Sequence, residues 1–256
     1  DNDVVSDSTF QAGSYTLSEE GQSGYDASAW SCTGTGSLNG NVITLGIGQE
    51  AVCSITNSDR PAGLTVIKKV VNDNGGTATI NDFGIKLNDN LIAFGEGVVE
   101  GATTIYTSTP TIVSNTEYTL SEEDLAGYAE GTWSCVENLA TVQKPIAMPF
   151  TLSEGQNVTC TVTNNDIAPS LQLVKEVNNN YGGEAKVTDW TLTATGPTTI
   201  SGDGGVTSGN DFKAGTYTLS ESGDVTGYNA SSWSCTNGVT VDANNGITLG
   251  VGESTV

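Results

Sequence analysis

The chain has 256 residues, with 30 acidic and 8 basic side chains, a formal net charge of −22 and no histidine. This balance argues against nucleic-acid binding, which needs clustered Lys and Arg. It also leaves no Ser-His-Asp catalytic set. Abundant Gly, Thr, Ser, Asn and Val in short alternating runs favour an all-β protein.

No apolar run approaches the roughly 20 residues that a membrane-spanning helix needs. The first residues, DNDVVSDSTF, are acidic, unlike the basic start of a signal peptide. We therefore expect no membrane contact within this stretch.

Short strings recur along the chain with a period of about one hundred residues. The string YTLSE occurs three times, beginning at Tyr15, Tyr118 and Tyr217. An L-x-x-x-K string occurs twice, beginning at Leu64 and Leu171. The period matches a small sandwich domain rather than a solenoid repeat, so the sequence predicts tandem Ig-like, Greek-key antiparallel β-sandwich domains.

We divide the chain into a first unit (residues 1–58), a middle unit (64–166) and a last unit (171–256). The first unit lacks the opening Lys strand, and the last unit stops before its closing strand. A sandwich cut in this way exposes an unpaired edge, so we expect the chain to be part of a longer repetitive protein.

Two short linkers, Ser58–Gly63 and Asp166–Ser170, join the units. Pro61 and Pro169 lie in them and restrict the backbone by fixing φ and removing a donor. The sequence therefore predicts a head-to-tail rod.

Within a unit the order is a Lys strand, an Asn/Gly turn, an aromatic strand, a variable segment, YTLSE, Gly-Tyr, Trp-Ser-Cys and a closing strand. Three acidic Gly turns are candidates for calcium-binding loops: Asn72–Gly76, Ser201–Gly205 and Asp242–Gly246. None has the EF-hand spacing, so we interpret them as hairpin turns and expect no metal and no cofactor.

The cysteines take the same two places in each unit, one after Trp-Ser and one before the closing strand. We predict disulfides Cys32–Cys53 and Cys135–Cys160, with Cys235 pairing beyond Val256. A zinc or redox site is the alternative, but it would need C-x-x-C spacing or about four N/S ligands. Disulfides indicate an oxidising, extracellular location.

Trp30, Trp133 and Trp233 each precede Ser-Cys. They are candidates for a carbohydrate-binding platform. Because each shares a strand face with its cysteine, we interpret them instead as core residues packed on the disulfide.

Strand parity places three polar residues of the middle unit on the apolar, inward face: Lys68, Glu122 and Asn164. A buried Lys or Glu is costly unless it is paired, so the three are expected to meet. The alternative is an exposed contact near the sandwich end, which contributes only about 0–1 kcal/mol.

The order V-x-K, YTLSE, Gly-Tyr and V-T-N resembles the B-type, prealbumin-like repeat domains of collagen adhesins and Gram-positive pilins. The resemblance implies a prealbumin-like sandwich and an autocatalytic isopeptide bond between Lys68 and Asn164, with Glu122 transferring protons. It also implies two partial sets, each with two of the three residues. Glu19 and Asn57 form one, and Lys175 and Glu221 form the other. Asp59 and Asp166, two residues beyond each Asn, are rival acceptors.

The resemblance implies a cell-surface protein that is not an enzyme and whose partners are further copies of the repeat or chain in a fibre. One function is mechanical, a spacer or fibre holding a host- or matrix-binding tip away from the cell. The other is direct glycan or matrix binding by the repeats. The variable segments 92–115 and 136–150 suit binding loops, and equally suit drift in a spacer.

Overall fold

The computed structural model describes residues 4–139 and 143–256. Over these ranges the chain forms β-strands, with two single-turn 3₁₀ segments at Ile80–Asp82 and Val187–Asp189. The all-β prediction is confirmed. None of the helical segments in the described part of the chain has the length and apolar character needed to cross a membrane.

The first unit consists of short strands in small sheets. They are β1 (Gly13–Thr16), β2 (Tyr25–Ala27), β3 (Ser31–Gly34), β4 (Ser37–Asn39), β5 (Val42–Leu45), β6 (Ala51–Ser54) and β7 (Asn57–Asp59). Strand β5 lies between β1 and β4, while β3 pairs with β6 and β2 with β7. All these pairings are antiparallel.

The middle unit contains the two longest strands. Its strands are β8 (Gly63–Val71), β9 (Lys86–Leu87), β10 (Asn90–Leu91), β11 (Val98–Glu100), β12 (Thr103–Ser108), β13 (Glu117–Tyr118), β14 (Leu120–Ser121), β15 (Tyr128–Glu130), β16 (Ser134–Asn138), β17 (Gln143–Ile146), β18 (Phe150–Thr151) and β19 (Asn157–Asp166). The main sheet has the order β11-β12-β8-β19-β16-β17, with β15 also pairing with β19. Strand β9 lies between β10 and β14 in a second sheet, and β13 pairs with β18.

The last unit forms two sheets. Its strands are β20 (Ser170–Val174), β21 (Thr191–Thr195), β22 (Ile200–Asp203), β23 (Gly205–Thr207), β24 (Gly215–Ser222), β25 (Gly246–Leu249) and β26 (Ser254–Thr255). One sheet has the order β22-β21-β24-β25 and the other β23-β20-β26.

The opening and closing strands of the middle unit, β8 and β19, lie side by side and run parallel. Val162 lies opposite Lys68, and Asn164 lies opposite Val70. This pair is parallel within an otherwise antiparallel sheet, and the alternating sequence pattern did not predict it. The two ends of the unit are thereby brought onto neighbouring strands.

Burial alternates along β8 and β19, as expected for strands with one face on a core. The core of the middle unit includes Leu64, Val66, Val70, Phe83, Ile85, Leu120, Phe150, Leu152, Val158 and Cys160. The core of the last unit includes Leu171, Leu173, Leu192, Phe212, Tyr217, Leu219, Ile247 and Leu249. Each cluster lies within one predicted unit.

Two of the three tryptophans before Ser-Cys pack at the margin of these cores. Trp133 and Trp233 are half-buried against the core of their unit, and Trp30 is also half-buried. The deeply buried tryptophan is Trp190, which lies between the 3₁₀ segment Val187–Asp189 and β21 in the last unit. Of the variable segments, residues 140–142 lie outside the described residues.

Candidate functional site

The middle unit brings Lys68, Glu122 and Asn164 together inside its core. Lys68 lies on β8, Asn164 on β19, and Glu122 directly follows β14. The side chains of Lys68 and Glu122 are fully buried, and Asn164 is 2% exposed. All three side chains lie on the inward side of the sandwich, so the exposed alternative does not describe this contact.

The three side chains form a closed triangle of hydrogen bonds. The Lys68 amine donates to Glu122 Oε2 and, at 2.5 Å, to Asn164 Oδ1. The Asn164 amide donates to Glu122 Oε1 at 2.6 Å. Each polar group is thus satisfied by the other two, which is how such a cluster avoids the cost of burial.

Phe83, which the sequence analysis did not single out, forms one wall of the site. The Lys68 Nζ lies 4.0 Å from the centroid of its ring. Phe83 is completely buried and directly follows the 3₁₀ segment Ile80–Asp82, ahead of β9. The signal was present, since Asp-Phe here and Asp-Trp at Asp189 occupy the same place in two units.

The surroundings of Lys68 favour a neutral amine. Burial lowers the pKa of Lys68 from its ordinary value of 10.5, and the hydrogen bond and charge of Glu122 only partly oppose this. A second carboxyl, Glu130, lies on β15, and its pKa is raised by burial and then by the charge of Glu122. Burial therefore shifts the Lys68 amine toward its neutral, nucleophilic form.

The arrangement suits an acyl transfer within the chain. A neutral amine is a nucleophile, the Asn164 amide carbonyl is an electrophile in contact with it, and a carboxylate touches both groups. The enclosure excludes water, which strengthens the electrostatic interactions.

The last unit repeats two members of the cluster. Lys175 donates to Glu221 Oε2 at 2.6 Å, and its Nζ lies 4.6 Å from the Trp190 ring centroid. The side chains of Lys175 and Glu221 keep 15% and 21% of their exposure. The pair therefore has the same geometry but remains in contact with solvent.

The first unit holds the complementary pair. The Asn57 amide donates to Glu19 Oε2 at 3.2 Å, and both residues are exposed. The structure thus brings together the members of each partial set that the sequence analysis paired.

Asp166, a rival acceptor on the same face as Asn164, has a different role. Its buried carboxylate accepts hydrogen bonds from the backbone N–H groups of Asp73 (3.0 Å), Asn74 (2.9 Å) and Gly76 (2.7 Å). These bonds fold the Asn72–Gly76 turn over the end of β19. The carboxylate makes no hydrogen bond to Lys68 among the described residues.

Two disulfides cross neighbouring strands. Cys32–Cys53 links β3 to β6, and Cys135–Cys160 links β16 to β19, each pair facing directly across the sheet. In the described part of the chain Cys235 is a half-buried free thiol. Over the same residues no group of His, Cys, Asp or Glu is arranged to hold a metal ion.

Comparison with known families decides the classification. A family model described as a prealbumin-like fold domain matches residues 1–55, 59–162 and 166–256. The chain belongs to this family. The sequence-based resemblance to prealbumin-like repeats is confirmed. Lys68 and Glu122 lie within the second prealbumin-like match, and Asn164 lies two residues after its end.

Solved structures of major pilins from Streptococcus pyogenes share some similarity with this prealbumin-like chain. One, described as the major pilin, is 16% identical with a TM-score of 0.28, covering 61% of this chain and 71% of its own. The T3.2 pilin is 17% identical with a TM-score of 0.30, covering 60% and 68%. The T-13 pilin is 18% identical with a TM-score of 0.28, covering 63% and 69%. No curated protein matches the chain.

Proposed function

We propose that this chain is a tension-carrying structural section of an extracellular bacterial surface fibre, pilus or adhesin stalk. The proposal rests on one observation, the buried Lys68–Glu122–Asn164 cluster that connects the opening strand of the middle unit to its closing strand. We propose further that Lys68 and Asn164 condense into an isopeptide bond.

The strand arrangement supports a mechanical role. Because β8 and β19 are parallel neighbours, pulling the start of β8 away from the end of β19 loads all their shared hydrogen bonds together rather than one at a time. A Lys68–Asn164 bond would carry the tension from Gly63 through Lys68 to Asn164 and out at Asp166. The chain between residues 69 and 163 would then be shielded from the load.

The proposed step balances within the cluster. The neutral Lys68 Nζ attacks Cγ of Asn164, a new C–N amide bond forms, and the original Asn164 C–N bond breaks. Glu122 takes a proton from the attacking amine and delivers one to the leaving nitrogen, which departs as ammonia. It happens once per molecule and acts on no external substrate.

The partial sets fit the same function. Glu19 with Asn57 and Lys175 with Glu221 place two members of the same set in the first and last units. The disulfides brace the same units in an oxidising, extracellular setting. The partners of the chain would then be further copies of the repeat in a fibre that holds a host- or matrix-binding tip away from the cell.

Intact-mass analysis of the full chain, unfolded after purification, tests the bond. We expect the wild-type mass to be lower than the sequence mass by one ammonia, beyond the hydrogens lost in the disulfides. Tandem mass spectrometry should then find a peptide from β8 joined to a peptide from β19.

Matched variants make this test specific. Glu122→Ala and Lys68→Met should retain the full mass, whereas Glu221→Ala, at the corresponding position of the last unit, should still lose one ammonia. Asn164→Asp should lose water instead, since the acceptor is then a carboxyl group. If the folded wild-type chain kept the full sequence mass apart from the disulfide hydrogens, the cluster would be a buried polar contact without an isopeptide bond.

A further inference from the structure

A second carboxylate lies beside the buried Lys–Glu–Asn cluster of the middle unit, on the short strand β15. Glu130 is directly opposite Asn164 where β15 pairs antiparallel with β19. The next residue, Gly131, donates its N–H to the Thr163 carbonyl at 2.8 Å. Hydrogen-bonded and non-hydrogen-bonded pairs alternate along an antiparallel pair of strands, so Glu130 and Asn164 form a non-hydrogen-bonded pair.

This pairing brings the side chains of Glu130 and Asn164 close together. Residues paired in this way share one face of the sheet, with β-carbons about 5 Å apart. Asn164 is buried on the inward face, so the Glu130 side chain leaves the backbone on that face too. Unlike Asn164, Glu130 is exposed to solvent. Its carboxylate is therefore a solvent-exposed charge next to the acceptor amide.

Electrostatic interactions connect Glu130 to the buried Lys–Glu pair. Burial raises the pKa of Glu130 from its ordinary value of 4.5, the charges of Glu122 and Asp124 raise it further, and the charge of Lys68 lowers it. Burial lowers the pKa of Lys68, and the charge of Glu130 opposes this in addition to Glu122. Among the described residues Glu130 forms no ion pair. Its charge therefore acts on the cluster without being neutralised by a partner.

The other two units have alanine at the place of Glu130. In the first unit Ala27 is opposite the candidate acceptor Asn57. In the last unit the residue two places after Tyr228 is Ala230, just as Glu130 is two places after the tyrosine of its own unit. Because the repeat uses alanine at this place twice, the fold does not require the glutamate. The acid is a feature of the middle unit, where the Lys–Glu–Asn cluster is complete.

We propose that Glu130 sets the pH at which the Lys68–Asn164 bond forms, because its carboxylate holds a proton on the Lys68–Glu122 pair. The inference rests on the proposed isopeptide bond and adds a residue that tunes its formation. Glu130 acts through Lys68 and Glu122 rather than on the reacting atoms, so it is a positioning residue.

The physical reason is repulsion between two carboxylates. Bond formation starts from a neutral Lys68 amine and an ionised Glu122. The ion pair reaches that state by releasing one proton from Lys68 to solvent, which leaves negative charges on both Glu122 and Glu130. Repulsion between like charges opposes this release. Glu130 is ionised in the alkaline range where the amine loses its proton, so it moves the reactive state to higher pH.

The pH dependence of ammonia loss tests the inference on the full chain. The chain is isolated unfolded, allowed to fold for the first time at a series of pH values, and quenched at intervals for intact-mass analysis. Glu130→Gln should shift the rate profile to lower pH by about half a unit to one unit, less than a buried charge would cause. Below its plateau this variant should react about three to ten times faster than wild type, and the plateau rates should agree.

Matched variants separate the charge from the shape of the side chain. Glu130→Ala, which introduces the residue of the other two units, should shift the profile as Glu130→Gln does. Glu130→Asp keeps the charge and should restore most of the wild-type profile. Glu100→Gln removes one exposed charge from β11 of the same sheet and should leave the profile unchanged. Far-UV circular dichroism checks that each variant has folded.

Salt gives an independent measure of the same interaction. At roughly 1 M salt the Debye length falls to about 3 Å, so the exposed charge of Glu130 is screened. The difference in rate between wild type and Glu130→Gln should then shrink. A difference that does not change with salt would mean that the substitution acts through packing, and would contradict the proposal.

The outcomes separate the role of Glu130 from the bond itself. If the wild-type chain lost no ammonia at any pH, both the bond and its tuning would be wrong. If wild type reacted but Glu130→Gln kept the same pH profile, or was slower at every pH without a shift, only the role of Glu130 would be overturned. An equal shift in Glu100→Gln would overturn it as well, since the effect would then come from net charge.

Discussion

The middle and last units hold the same Lys–Glu pair in different environments. Lys68 and Glu122 are fully buried and share their hydrogen bonds with Asn164. Lys175 and Glu221 are also in contact, but they keep 15% and 21% of their exposure. The opening strand, the YTLSE segment and an aromatic wall are present in both units.

The element that differs is the closing strand. In the middle unit β19 supplies Asn164 and lies alongside β8, and this encloses the amine. In the last unit β20 pairs with β26, which contains only Ser254 and Thr255. The Lys–Glu pair therefore forms without the closing strand, whereas its desolvation requires that strand.

The largest expected difference between the units is the cost of removing the glutamate. Glu122→Ala leaves a buried amine without its carboxylate, which costs about 3–5 kcal/mol in the free energy of unfolding. Glu221→Ala should cost about 0–1 kcal/mol, because water can reach Lys175. Hydrogen exchange of peptides from β8 and β20, read by mass spectrometry, reports each unit separately. Equal losses of protection in the two units would contradict the comparison.

The next largest expected difference is in how easily the disulfides of the middle and first units are reduced. Cys135 and Cys160 are buried, whereas Cys32 and Cys53 are half-exposed. Because exchange requires access to the sulfur, Cys32–Cys53 should be reduced first at rising reductant concentration. Replacing both Cys135 and Cys160 by Ala should destabilise the middle unit by about 2–4 kcal/mol. Alkylation followed by peptide mass analysis gives the order, and earlier reduction of Cys135–Cys160 would show that this unit opens more easily than its burial indicates.

The smallest effect concerns pH and the rate of the proposed bond. The reactive amine is neutral above its folded pKa, and burial lowers the pKa of Lys68 below its ordinary value of 10.5. The rate of ammonia loss, measured on chain that is isolated unfolded and then folds for the first time, should therefore rise about tenfold per pH unit and level off before pH 10.5. Intact mass of samples quenched at intervals gives the rate, with Glu122→Ala as the non-reacting control. A rate independent of pH would mean that deprotonation of Lys68 does not limit the step.

Much of the site was predictable because its residues lie in regular strands. Alternation along β8 and β19 assigns Lys68 and Asn164 to the inward face, and a buried charge requires partners. Phe83 was missed because an aromatic residue in an apolar segment indicates a core without indicating which amine it covers, and the 3₁₀ segment that Phe83 follows was not predicted. The role of Asp166 was missed because its partners are backbone N–H groups of a turn, and such groups leave no pattern in the side chains.

By itself the sequence determined the all-β class, the repeat, the family and the pairing of residues into Lys, Glu and Asn sets. Each of these follows from a local pattern or from spacing that recurs. The parallel neighbours β8 and β19 and the enclosure of Lys68 were decided only by the tertiary structure. They depend on contacts between segments about one hundred residues apart, whose partners are chosen by packing the whole core rather than by any short stretch of chain.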